Sequence, residues 1–569
     1  MSCASCRVLG HGVAIAVAIG SSGCYVGLNE HDASPDGAGV GGSGDVEDPE
    51  GEGPGVESEC EGVPRMSRVV RGLNGRQYAR TVAAAFPGIS AVDQLFRDSD
   101  RSAEFSTHSQ IRRLDFKNTA DVIEAAETVS AEAVGVVRQR FVCLDAAPVD
   151  DACVQDTIDT LTEELYRGPV PADHRQGLVA LFDQARAATD VDRAIQTVVQ
   201  AMLTSPRFLF RQELGEPLDD GTGAELSSFE VASALSYTLT DGPPDAPLWA
   251  AAQEDALRSP EQIEAHARRL LAMQGDEPSG MVAFVREMAG LQDFALISKD
   301  PEAFPAFDET TRDAVLADFE ATVGSLLGSD EPTLERLLLS RQFVVSPPTA
   351  QLLGWDDPQQ YDPDAGLVEI DEVGRQGLLT HPALLGTYAH ESENNPVARG
   401  HFVSDTLLCI AVPPPPDDVS FPDLEEVQGN ETLRQTLERV HSVGTCAGCH
   451  SVMDPYGWPF EVFDAVGRRR DTDNGLPIDD SSTILVPDEF EGPVQDVSEM
   501  LDIIAGSSIA HVCVSQEIFK YVVGVGDEQE GYSCITEELA TPFVEDGDVP
   551  SQFVRLLTSP WFLERSIEP

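Results

Sequence analysis

The chain has 569 residues, with 98 acidic against 37 basic side chains and a formal net charge of −61. Domains usually run about 100 to 200 residues, so this length implies several modules, each able to bury its own core, and argues against one compact domain. A surface this negative repels phosphate backbones and so excludes nucleic acid as a partner; it would attract a basic partner such as a cationic electron carrier, the alternative being a merely solvated acidic face.

In chain order, Arg7, an apolar run at 13–19 and Ser21-Ser22-Gly23-Cys24 read as an export signal over residues 1–24. The run is far shorter than the roughly 20 residues that span a bilayer. Cys24 after Ser-Gly resembles a bacterial lipoprotein processing site, although Ser21 stands where that pattern has Leu; ordinary cleavage nearby with Cys24 unmodified is the alternative. Either way the chain is expected outside the cytoplasm, in the periplasm, on the outer membrane as a lipoprotein or at the cell surface, touching a membrane only through the lipid. Residues 25–64 are Gly, Asp, Glu, Ser and Pro with almost nothing to bury, an acidic disordered linker that would hold a globular body away from the membrane.

Helical periodicity dominates beyond the linker. Ile195, Val198, Val199, Met202 and Leu203 form one apolar stripe ahead of Pro206, and Ser227 to Glu230 has the spacing of a capping box. Similar patterns recur over 316–339 and at Leu433, Leu437 and Val440, whereas strand signals are limited to short stretches such as 342–345. The fold class is therefore mainly α. Helical modules are expected in tandem at 65–140, 141–215 and 216–360, then a module at 361–475 containing Pro413-Pro414-Pro415-Pro416 as a rigid hinge, and a closing helical module at 476–569.

Export lets disulfides persist. Setting aside Cys446 and Cys449, the mature body holds six cysteines beyond Cys24; the local pairings are Cys143 with Cys153 and Cys513 with Cys534, which leaves Cys60 with Cys409.

Asn430 can cap a helix from 431 to about 441, and beyond it stands Thr445-Cys446-Ala447-Gly448-Cys449-His450. Two thiols three positions apart can add to the two vinyl groups of haem while the next residue turns its imidazole onto the iron, the logic of covalent haem c attachment. A redox dithiol would need a thioredoxin-like alternation of strands and helices, and a zinc site a second Cys or His pair downstream; neither pattern is present in the sequence. For the sixth iron position the candidates are Met500, then His511, then water or an open site, while ordinary core packing is the competing reading of both side chains. Met453 is too close to His450 to reach the opposite haem face.

The residues after the motif, Asp454-Pro455-Tyr456-Gly457, Glu461, Phe463-Asp464 and Gly467-Arg468-Arg469-Arg470, resemble the signature of a family of large exported proteins from planctomycetes and myxobacteria. These are built from domains of unknown function and end in a planctomycete-type cytochrome-c-like module. Arg71-Gly72-Leu73-Asn74-Gly75-Arg76-Gln77-Tyr78, Leu203-Thr204-Ser205-Pro206-Arg207-Phe208-Leu209-Phe210-Arg211, Gly377-Leu378-Leu379-Thr380, Asn395-Pro396-Val397-Ala398-Arg399-Gly400 and Thr558-Ser559-Pro560-Trp561-Phe562 extend the resemblance over most of the mature chain. It implies helical modules, export and a CxxCH site, with no established substrate. Asn394-Asn395 stands where the family more often has Thr-Ser. Asp454, Glu461 and Asp464 read as turn caps or as a functional acidic cluster, and 471–475 as a plain turn or a calcium loop whose glycine comes one position early.

Two functions follow from different classes: an envelope electron-transfer protein carrying haem c, or a disulfide-stabilised helical binding scaffold without haem. As an enzyme, the chain would be a haem-linked oxidoreductase, and no catalytic residues can be named: the sequence has no Gly-x-Ser-x-Gly, His-Glu-x-x-His or phosphate-binding Gly-Lys loop.

Overall fold

The computed structural model describes residues 63, 65–89, 105–108, 116–273, 280–412, 431–444, 446–526 and 531–567. Cys24 and the export signal, most of the acidic linker, Cys60, Asn430 and the four-proline run lie outside them.

Helix α1 (Gly75–Ala85) opens on a capping box in which Asn74 Oδ1 accepts from Gln77 N at 2.8 Å and Gln77 Oε1 accepts from Asn74 N at 3.3 Å. Two backbone donors that a helix start would leave orphaned are thus satisfied. Helices α2 (Phe116–Arg140), α3 (Asp151–Tyr166), α4 (Ala172–Ala188) and α5 (Val191–Leu203) follow. The apolar stripe of α5 is buried against α2 and α4, and each of its large side chains contributes about 1.5–3 kcal/mol. Residues 78–210 share one apolar core, so the segments expected as separate modules at 65–140 and 141–215 pack together.

The short helix α6 (Pro206–Leu209) is capped by Ser205, with Pro206 at its first position, and leads into strand Phe210–Glu213. That strand pairs antiparallel with Val69–Gly72 and sets Arg71 opposite Arg211. The same local design recurs at the other end of the chain. Thr558-Ser559-Pro560-Trp561-Phe562-Leu563-Glu564-Arg565 repeats the Thr-Ser-Pro-x-Phe-Leu-x-Arg pattern of 204–211, again with a serine cap, a four-residue helix and a strand carrying a buried arginine.

The second and larger core gathers side chains from Met66 to Leu563. Its helices are α7 (Ser228–Thr240), with the expected Ser227–Glu230 capping box, α8 (Ala246–Gln253), α9 (Pro260–Met273), α10 (Gly280–Met288), α11 (Glu309–Leu327), α12 (Leu334–Leu339) and α13 (Pro347–Leu353). They are followed by α14 (Pro382–Thr387), α15 (Pro396–His401) and a π-helical turn at Phe402–Leu407; then come α16 (Leu433–His441), α17 (Cys446–Gly457), α18 (Val497–Ala505), α19 (Ser508–Val523), α20 (Tyr532–Asp546) and α21 (Val549–Leu557). The fold is mainly α; strands occur as two- and three-stranded scraps, and the one expected at 342–345 is confined to Gln342–Phe343, paired with Val368–Glu369.

Cys143 and Cys153 are joined, stapling a 3-10 turn to α3. The expected bond between Cys513 and Cys534 is not formed: Cys513 pairs with Cys409, which also removes Cys409 from Cys60, and Cys534 is disulfide-bonded elsewhere. Helices α19 and α20 run antiparallel, with Phe519 against Tyr532 and Gln516 bonded to Thr536. The start of α20 therefore faces the end of α19, and at about 1.5 Å of rise per residue Cys534 lies beyond disulfide reach of Cys513.

His381 caps α14, its Nδ1 accepting from Ala383 N at 3.1 Å, with its ring edge-on to Phe319. Burial, aided by the Arg375 charge, pushes its pKa down to about 3. Between the unfolded value near 6.5 and that depressed value only the unfolded chain takes the proton, so stability falls as pH drops through this window. Unfolding by urea at pH 7 and pH 4 should show the wild type losing about 3 kcal/mol more than His381→Asn, which keeps a capping acceptor but cannot titrate. Equal losses in the two proteins would refute this account of His381.

Candidate functional site

Helix α16 begins after Thr432 rather than at 431, because Thr432 and Gln435 form a capping box of their own. Its last residue is His441. A short turn later α17 begins on Cys446, so Cys446, Cys449 and His450 occupy the first turns of one helix. The two cysteines are half-buried and are not joined in a disulfide, unlike the other described cysteines.

Asp454 lies one turn beyond His450 on α17 and is buried. Its Oδ1 is 2.9 Å from His450 Nδ1 and its Oδ2 is 2.6 Å from His441 Nδ1. The two imidazoles stack, with centroids 3.5 Å apart. One carboxylate thus orients both rings through their Nδ1 atoms, and the Nε2 of each has no partner among the described residues. An imidazole bonded at Nδ1 to a carboxylate is held in one tautomer and made a stronger ligand through Nε2. The three side chains also place one ligand atom each within 4.8 Å of one another, as a metal site requires.

Close backbone contact fixes this helix. Gly457 and Gly400 sit where α17 crosses α15: a Cβ on Gly457 would come within 2.0 Å of the Pro396 carbonyl, and one on Gly400 within 2.2 Å of that of Met453. Only glycine allows the approach. Arg399, fully buried, donates to the carbonyls of Phe460, Phe463, Leu385 and Asp464 at 2.8 to 3.0 Å, clamping the chain that leaves α17.

The other acidic residues of this region have separate duties. Asp464 caps its turn through Val466 N and Arg468 N. Glu461 is buried, accepts from Asn394 Nδ2 at 2.6 Å, and has its pKa raised by burial against the opposing pull of Arg470 and Arg399. Asn395 caps α15. Residues 472–477 form a hairpin turning on Asn474 and Gly475, both at positive φ. Met500 is fully buried in α18, which packs on α12. His511 donates Nδ1–H to the Ser507 carbonyl at 2.7 Å and packs on Phe543. Neither belongs to the His441–Asp454–His450 cluster. Sequence reasoning missed His441: the i, i+4 spacing of His450 and Asp454 was visible, but nothing local pointed to a histidine from the preceding helix.

Fold and site define a multi-module helical protein with a CxxCH helix. The chain belongs to the multi-module family suggested by its motifs: three family models match in tandem, PSD5 (DUF1595) at 153–213, PSD4 (DUF1592) at 226–354 and PSCyt3 (DUF1588) at 375–473, each described as a protein of unknown function. The last match contains His441, the CxxCH motif and Asp454. Neither the curated proteins nor the solved structures contain a significant match to the chain.

Proposed function

We propose that this chain is an exported c-type haem protein of the cell envelope, tethered by lipid at Cys24 and passing electrons to or from a partner whose contact face is basic. The observation that carries the reading is the pair of thiols, Cys446 one turn before His450 and Cys449 next to it, beside an imidazole that Asp454 pins at Nδ1. Cys446 and Cys449 would hold the porphyrin through thioether bonds and His450 Nε2 would face the iron; bound haem would supply a one-electron couple. The hydrogen bond that His450 Nδ1–H would donate to the Asp454 carboxylate adds negative character to the imidazole, which favours the oxidised metal and so a low potential. The acidic surface supports a basic redox partner.

The test is expression of the full chain with a haem-attachment apparatus. Protein that keeps a haem absorbance band after denaturation, gains the mass of one haem and loses both in Cys446→Ser/Cys449→Ser supports the reading. A colourless chain with the mass of bare polypeptide overturns it. In that case one divalent ion per chain, lost in His441→Ala, would favour a second reading, a metal held by His441, His450 and Asp454.

A further inference from the structure

A cavity of about 310 Å³ opens where the first two matched modules meet, far in sequence from the CxxCH helix. Its wall includes Arg167, Arg207, Arg211 and Ser233, together with the carboxylates Glu216 and Glu230. Arg207 and Arg211 both come from the Thr-Ser-Pro-Arg-Phe-Leu-Phe-Arg segment, for which the haem site has no use.

Arg211 is 3% exposed, yet its guanidinium forms no hydrogen bond or ion pair among the described residues, and Nε and Nη1 are fully buried. Around it stand the Tyr237 ring, 5.2 Å away, and the Glu213 carboxylate, whose charge only partly offsets those of Arg71 and Arg167. Burial and the Arg71 charge lower its pKa to about 9, so it is still protonated at neutral pH. The nearby carboxylate Glu213 is already shared by Arg71 at 3.1 Å and Arg565 at 3.2 Å. Arg207, half-buried, also has no side-chain hydrogen bond or ion pair among the described residues, and the Ser233 hydroxyl is buried without a partner.

The repeated motif makes the deficit plain. Arg565, at the equivalent position of the second copy, has both Nη atoms bonded, to Glu213 and to the carbonyls of Phe562 and Glu564, with only Nε left without a partner. Arg211 has no such acceptor and lines a cavity instead. The acids in the wall do not compensate. Glu230 is turned onto the amides of Leu214, Gly215 and Ser227, and Glu216 pairs with Arg258. An uncompensated buried cation is strongly destabilising, and planar guanidinium donors match the two oxygens of a carboxylate or phosphate.

We propose that this cavity is a binding site for a small oxyanion, a carboxylate or a phosphate, held by Arg211 and Arg207 with the Ser233 hydroxyl as a third donor. The cavity volume suits a small organic anion, and its place between modules is a common one for ligand sites. Nothing in this assignment depends on haem.

Titration calorimetry on the full chain, with inorganic phosphate and succinate as separate probes, tests it. Saturable binding of one or the other at one per chain is expected, and the stronger probe tells phosphate from carboxylate chemistry. Arg207→Ala, at a half-exposed position that folding tolerates, should weaken binding at least about tenfold, and Arg268→Ala, at an exposed arginine of α9 outside the cavity wall, should leave it unchanged. Arg211→Met separates ligand binding from structure: it should abolish binding while raising the melting temperature of the anion-free chain, since it removes an unpaired buried charge. No binding of either probe, binding that survives both cavity substitutions, or a lower melting temperature for Arg211→Met would each overturn the proposal.

Discussion

Arg399→Leu is expected to lower the unfolding free energy by about 3–5 kcal/mol, measured by urea denaturation. Arg399 spans four carbonyl oxygens on three segments: the 3-10 turn after α17, the loop containing Asp464, and α14. Leucine fills much of the volume but leaves those acceptors buried without donors, at about 1–3 kcal/mol for each one that water cannot reach. Arg399→Lys should also lose most of this stability, because an ammonium cannot present a planar fork to carbonyls on both sides. The arginine is held with its pKa lowered to about 10 by burial, so it remains charged in all ordinary buffers and the loss should not vary with pH between 5 and 8. A change below about 1 kcal/mol would show that water replaces the guanidinium at no net loss.

The second large effect concerns the bond between Cys409 and Cys513, which are separated by 104 positions. Closing a loop of that length removes unfolded-state entropy worth about 4–5 kcal/mol in the chain-entropy model. The double variant Cys409→Ala/Cys513→Ala should lose about 3–5 kcal/mol and unfold at markedly lower urea. Breaking the Cys143–Cys153 bond, with a separation of 10, should cost less, since loop entropy grows with length. The bond joins the segment after the π-helical turn to α19, so its loss should also loosen the module that carries α17 against the closing helices. Were the double variant to unfold at the wild-type urea concentration, the bridge would be shown not to constrain the unfolded chain.

What was legible in the sequence was local. The stripe of α5 and the capping box at Ser227 depend on neighbours a few positions apart, and each appears where the pattern placed it. The CxxCH helix is of the same kind: thiol, thiol and imidazole share one short stretch of α17 by spacing alone. The Thr432–Gln435 capping box that starts α16 is equally local.

The amino-acid order by itself determined the helical class, the family and the CxxCH constellation, because each is encoded in short stretches of consecutive residues or by composition; pairing neighbouring cysteines held for Cys143 with Cys153 and failed for Cys513. Tertiary structure alone decided that His441 shares the Asp454 carboxylate with His450, that Cys513 reaches across to Cys409, and that Arg211 is left facing a cavity while its counterpart Arg565 finds Glu213. The physical reason is the same in all three. Helix periodicity says which side of an element is apolar but not which other element covers it. Partners separated by long stretches of chain are chosen by packing and by the need to satisfy buried polar groups, and no local pattern records that choice.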